Sequence, residues 1–175
     1  MKSSISIEQL FADLIEQTHQ HSCKLPPIDL WRPEKTGDMD LRIDREGRWF
    51  HESVEIKRSS IVKLFSSLLK VEDGEYFLVT PTEKWTIFVD IAPFFIIDAK
   101  RTKRQGIQVV CVTTSTGEEV LLGSEHPLII DSKPPDEPLL PLVHIRRNLK
   151  GLVSRTVYYQ LVEWGRELHS SDGRS

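Results

Sequence analysis

Apolar residues at Ile7, Leu10, Phe11, Leu14 and Ile15 recur at intervals of three and four, one face of a helix, with Ser4 or Ser6 placed to cap it. Prolines at 26, 27 and 33 then impose an extended connector, because each fixes its own backbone and biases its predecessor away from helix. From Gly37 the period falls to two. Leu41 and Ile43 alternate with Arg42 and Asp44, "REGR" reads as a turn in which Gly47 takes positive φ, and the chain returns through Trp49, Phe50, Val54 and Ile56. Helical spacing resumes from about Ser59 to Lys70, with Ile61, Leu64, Phe65, Leu68 and Leu69 on one stripe.

After Asp73–Gly74, a strong turn signal, the pattern changes to short strands. "YFLVT", "WTIFVD", "FFIIDAK", "IQVVCVTT", "EVLLG" and "PLII" read as six strands, "DSKPPDEPLLP" as a proline-rich loop and "VHIRR" as a seventh strand. A long final helix is predicted from about Asn148, with Leu149, Leu152, Val153, Thr156, Val157, Leu161, Trp164 and Leu168 aligned. The expected fold is α+β, in two small domains at 1–76 and 77–175. Seven strands closed by a terminal helix suit a pleckstrin-homology-like partial barrel, since closure removes exposed edges; that likeness is one of architecture.

The two halves also echo each other. "VEIKRSSIVKLF" starts at 54 and "VHIRRNLKGLV" at 143, an offset of 143 − 54 = 89 residues. Each reads as a strand, two cations, a cap and an apolar helix, which predicts a duplicated strand–helix core. Cations just before a helix N-terminus favour an anion, because the first-turn N–H groups and the macrodipole point the same way. Arg58, Arg146 and Arg147 are therefore candidates for phosphate, arginine being suited to bidentate contacts. Chance likeness of two strand ends, with their cations in water, explains the same residues. "TPTEKW" adds Thr80 and Lys84 as phosphate contacts and Glu83 as a partner for a cation or ribose hydroxyl, with a plain hairpin turn as the alternative. On the last helix, Arg155 and Tyr158 lie one turn apart and offer a guanidinium and a ring; half-buried packing is the commoner use of such a tyrosine.

Composition narrows the choice of partner. A chain of 175 residues with 39% hydrophobic and 28% charged residues is globular, and a net charge of −3 argues against a general nucleic-acid binder. Two cysteines, Cys23 and Cys111, fit a reducing compartment, and no apolar run approaches the ~20 residues of a membrane span; a cytoplasmic protein is expected. Asp38, Asp40 and Asp44 do not follow a calcium-loop spacing, and His19, His21 and Cys23 lack a second ligand pair, so no metal is expected. His126 and His144 have no nucleophile or paired carboxylate nearby in sequence, and no phosphate-binding glycine loop or nucleophile elbow appears. Binding, without catalysis or cofactor, is the expectation. "KRTKR" at 100–104 reads as a basic hairpin tip, solvated or set against an acidic surface.

"GDMDLRIDREGRWFH", "LVTPTEKW", "GSEHPLII" and "VHIRRNLKGLVSRTVYYQLVEWG", in that order, closely resemble the bacterial family known as domain of unknown function 1285, from about Pro26 to Gly165. The resemblance implies a duplicated core of two small domains, the second superficially pleckstrin-homology-like, with a nucleotide-like ligand between them and a role in signalling. One segment departs from the family pattern of glycine, any residue, proline, isoleucine, glycine, arginine: here Ser53 to Arg58 reads S-V-E-I-K-R, keeping only Ile56 and Arg58. The function expected is a cytoplasmic module binding a small anionic, nucleotide-like ligand at an inter-domain cleft in signal transduction. A protein-interaction adaptor with no small ligand is the second reading.

Overall fold

The computed structural model of the protein describes residues 25–131 and 138–171, with side chains through Arg166. The helix expected around Ile7–Ile15, the His19/His21/Cys23 group and the middle of the proline-rich loop lie outside the described residues.

A short 3₁₀ turn at Ile28–Leu30 leads into β1 (Lys35–Ile43), β2 (Trp49–His51), β3 (Val54–Glu55), α1 (Ser59–Ser67), β4 (Leu69–Glu72), β5 (Glu75–Val79) and β6 (Glu83–Val89). The second half runs β7 (Phe94–Arg104), β8 (Ile107–Thr114), β9 (Glu119–Leu121), β10 (Leu128–Asp131), β11 (Leu140–Arg146), β12 (Leu149–Val153) and α2 (Arg155–Ser171). These form two six-stranded sheets, ordered β3-β2-β1-β6-β5-β4 and β10-β11-β12-β7-β8-β9.

The duplication lies in this topology. In each sheet the chain starts at the centre, steps outward through three antiparallel strands, re-enters at the opposite edge and steps back to the centre. The two central strands then pair in parallel: β1 with β6 from Lys35↔Glu83 to Ile43↔Val89, and β7 with β12 from Phe94↔Gly151 to Ile96↔Val153. β1 to β6 thus correspond in order to β7 to β12. The expected repeat is different, because it aligns β3 and α1 with β11 and β12, which hold different places in the two sheets. Nor is "VHIRRNLKGLV" a strand followed by a helix. Arg147 (φ 49) and Asn148 (φ 62) form a left-handed two-residue turn, so the chain doubles back as a hairpin into β12 and α2 begins only at Arg155.

Two further expectations are corrected. Leu69 belongs to β4, with α1 ending at Ser67. A division after residue 76 would cut through the first sheet, since β5 and β6 pair there with β4 and β1. The two segments expected to open a seven-stranded barrel therefore complete the first sheet, and β12 takes a place in the second.

One hydrophobic cluster joins the units. Leu41, Ile43, Trp49, Phe65, Leu69 and Leu78 from the first unit pack with Phe94, Ile96, Val112, Val143, Leu149 and Val157 from the second. Trp49 stacks on Phe65 with ring centroids 5.7 Å apart. A smaller cluster of Ala92, Leu142 and Leu152 sits on the other face of β12.

Candidate functional site

The site is framed by two turns built alike. In the β1–β2 turn, Asp44 accepts bonds from the N–H groups of Glu46 (3.0 Å) and Arg48 (2.8 Å), and Gly47 closes the turn at φ 74. In the β8–β9 turn, Thr114 plays the same part, its hydroxyl accepting from Glu118 N–H at 3.0 Å and Gly117 closing at φ 89. The turns meet at the unit boundary. Ser115 N–H donates to Phe95 O at 2.8 Å, and a Cβ on Gly47 would stand 2.8 Å from the Cβ of Phe95.

On one side of the β1–β2 turn a cleft of about 500 Å³ opens towards the start of α2. Arg45 and Glu46 come from the first unit, and Arg155, Tyr158 and Tyr159 from the second. Pro138 to Pro141 and Ile130 supply an apolar wall. Ser154 caps α2: its hydroxyl accepts from Val157 N–H at 3.4 Å, and its own N–H donates to Ile96 O at 3.1 Å. The next N–H groups have no partner within the helix and add positive potential at the cleft. Arg45 and Arg155 are exposed, and neither has a side-chain hydrogen bond or ion pair among the described residues. A second cleft, about 380 Å³, lies on the other side of the same turn between Lys57, Ser59, Lys63, Ser115 and Thr116.

The residues expected to bind phosphate do not converge. Arg146 is a bridge: its Nε donates to Glu118 Oε1 at 3.0 Å, its Nη2 to Ser66 O at 3.1 Å, and its guanidinium lies 5.0 Å from the ring centroid of Phe94. Arg147 anchors the incoming chain through Nη2 to Pro26 O at 2.7 Å, and burial, only partly offset by Asp29, lowers its pKa. Lys84 donates to Glu72 at 2.5 Å and covers the Phe77 ring at 4.2 Å. Hydrogen bonds from Lys84 and then Lys70 pull the Glu72 carboxyl down to about 2. Thr80 is buried and its hydroxyl accepts from Glu83 N–H at 3.0 Å, while the Glu83 carboxylate accepts from Trp85 Nε1 at 3.2 Å; the hairpin-turn alternative describes both. Arg58 is exposed at the N-cap of α1, where no side chain caps the helix. Tyr158, among the seven candidates, lines the larger cleft.

Other candidates are also taken. Arg42 forms a two-pronged pair with Asp90 (2.8 and 2.6 Å), and the guanidinium holds Asp90 below its ordinary range. His126 Nδ1 lies 3.0 Å from His144 O, and His144 Nδ1 3.2 Å from Glu125 O, a local turn clasp. Arg45 was not marked by periodicity, because its partner wall lies more than a hundred residues further on (155 − 45 = 110). The signal available was the Asp44-x-x-Gly47 turn, which fixes where Arg45 points out of the hairpin.

Together these features define a two-domain α+β protein with duplicated six-stranded sheets, a shared core and a cleft at the unit boundary. The chain belongs to the DUF1285 family. Residues 26–92 match its model "domain of unknown function (DUF1285), N-terminal domain", and residues 93–175 match the C-terminal domain. The two models meet where the first sheet ends. A DUF1285 family protein from Silicibacter pomeroyi DSS-3 is 38% identical, with a TM-score of 0.73 over 81% of this chain and 78% of its own. One from Shewanella baltica OS155 is 30% identical, with a TM-score of 0.55 over 71% of this chain and 91% of its own. No curated protein matches the chain.

Proposed function

We propose that this protein is a cytoplasmic ligand-binding module that takes a small, anionic, nucleotide-like ligand in the larger cleft and relays its presence in signalling. The observation that carries the reading is the pair of exposed guanidiniums, Arg45 and Arg155, without a hydrogen bond or ion pair among the described residues and offered by different units to one cleft. About 500 Å³ is within the ordinary range for small-molecule sites. Arg155 and the start of α2 suit a phosphate, and Tyr158 with the proline-lined wall suits a flat ring. A ligand touching both walls would favour one arrangement of the two units, which is how occupancy becomes a signal. On this reading the second sheet, with α2 against it, would serve as a pleckstrin-homology-like half-barrel. Ser154 is committed to its cap and Glu46 is the one carboxylate among the described lining residues, so the reading is binding without turnover.

The test is a thermal-shift screen against nucleotides, dinucleotides and sugar phosphates. A ligand at a hundredfold its Kd adds about 2.7 kcal/mol, a rise of several degrees at this chain length. The rise should vanish in Arg155→Ala and in Arg45→Ala, whose own melting temperatures stay near wild type because both side chains are exposed. A hit unaffected by either variant would move the site elsewhere. Silence across the panel would favour the adaptor reading, for which the exposed edge strand β10 (Leu128, Ile129, Ile130) and neighbouring Leu139 offer an apolar surface.

A further inference from the structure

The β7–β8 hairpin extends well past its neighbours. β12 pairs with β7 only at 94–96, and β9 pairs with β8 only at 111–113. Leu122 N–H also donates to Val110 O at 2.9 Å, so the two strands continue as an isolated ribbon from Thr102↔Val109 to Arg104↔Ile107, closed by a left-handed turn at Gln105 (φ 51) and Gly106 (φ 79). Residues 99–117 contain no aspartate or glutamate, while Lys103 and Arg104 place two cations on the ribbon and Lys100 and Arg101 two more at its root. Lys103 and Arg104 have no ion pair among the described residues, and Lys100 has only a 4.0 Å approach to Asp98 at the base. Ile107 is 67% exposed at the tip, beside Arg104, with open space around Gly106. The ribbon is also braced: the Arg101 guanidinium lies 4.9 Å from the ring centroid of Trp164 on α2.

We propose that this ribbon is a docking point for an anionic phospholipid surface, approached tip first. Pairing register sets Lys100 and Arg104 on one face and Arg101 and Lys103 on the other. The charge is therefore gathered around the tip and not spread over one face, as tracking a nucleic-acid backbone would require. An aliphatic side chain held in water among cations is gratuitous for a phosphate contact, but it fits insertion between lipid headgroups while lysine and arginine stay in the headgroup layer. A chain with a net charge of −3 needs such a local patch to approach an anionic surface at all. Because α2 braces the ribbon, docking orders little that is not already ordered. This surface is separate from the cleft and does not depend on a ligand there.

The experiment is co-sedimentation of the full chain with phosphatidylcholine vesicles, with and without phosphatidylserine, over a salt series. Binding is expected only where phosphatidylserine is present, and it should weaken as salt rises. The triple variant Lys100→Gln, Lys103→Gln, Arg104→Gln should lower the partition coefficient about a hundredfold, at the per-cation strength usual near such surfaces. Ile107→Asp should also lower it. Circular dichroism melts should leave both variants near wild type, since these side chains are exposed. Equal partition onto neutral vesicles, or unchanged binding by the triple variant, would overturn the proposal. So would duplex DNA binding that the triple variant loses and Ile107→Asp keeps, which assigns the ribbon to nucleic acid.

Discussion

Arg146 reaches three segments at once: Glu118 beyond β8, the Ser66 carbonyl near the end of α1 and the ring of Phe94 at the start of β7. Its side chain is only 11% exposed, so these contacts replace water instead of competing with it. Arg146→Ala leaves the Ser66 carbonyl and a half-covered Glu118 without their donor, and a loss of about 3 kcal/mol is expected. At this length that lowers the melting temperature by roughly 6–12 °C. Ligand affinity at the cleft, measured below the melt, should be unchanged, in contrast to a phosphate-contact role. Lys84 makes a different kind of pair. Its partner Glu72 has a folded pKa of about 2 against an ordinary 4.5, so the pairing stabilises the fold above about pH 4.5 and is lost as pH falls towards 2. With the Glu72 side chain 39% exposed, solvent screens the pair to below about 1 kcal/mol. Lys84→Met should therefore lower the urea midpoint slightly at pH 7 and converge with wild type towards pH 2, which flattens the acid limb between those values. Lys70 keeps the flattening incomplete.

At the scale of elements, the contact between the β1–β2 turn and β7 determines how closely the two units meet. Gly47 meets two conditions there: φ of 74, and Phe95 Cβ 2.8 Å from where its own Cβ would be. Gly47→Ala is expected to cost about 2–3 kcal/mol. Gly106→Ala, at φ 79 with nothing within 4 Å, meets only the backbone penalty, about 1 kcal/mol, so the difference between the two denaturation midpoints measures the inter-unit contact. Two turns were legible, since Gly47 and Asp73–Gly74 announce a reversal, whereas "KRTKR", expected as a hairpin tip, lies within β7 and the chain reverses just beyond it at Gln105–Gly106. The β12 strand was not legible. Leu149 and Val153 face the main core, Leu152 faces the small Ala92–Leu142 cluster and Gly151 fits against Ile96 and Phe94, so both faces are covered and alternation disappears. What remains, apolar residues at 149, 152 and 153, is also the signature of a helix. The cleft was legible only through Tyr158 and Arg155, because its other wall is brought in by docking of the units, which leaves no local trace.

For the whole molecule, the main hydrophobic cluster draws on both sheets and on both helices, through Phe65 of α1 and Val157 of α2. Trp49 and Phe65 of the first unit and Phe94, Ile96 and Val112 of the second belong to one packed group, and Arg146 and Arg147 tie the second unit to Ser66 and Pro26 of the first. A boundary that is this apolar couples the units energetically, unlike the polar contacts between independent domains. Urea unfolding should therefore be a single transition. Three of the four tryptophans, Trp31, Trp49 and Trp85, lie in the first unit and Trp164 in the second, so fluorescence weights the first unit while far-ultraviolet circular dichroism reports the whole backbone. The two midpoints are expected to coincide, and Arg146→Ala should shift both by the same amount. Residues 26–92 expressed alone, although they match a family model by themselves, should show no cooperative melt, because Leu41, Ile43 and Trp49 would lose the opposite half of their core. Two separated midpoints, or a cooperative melt of that fragment, would make the halves autonomous domains; a ligand in the cleft would then have to draw them together itself instead of tuning an interface already formed.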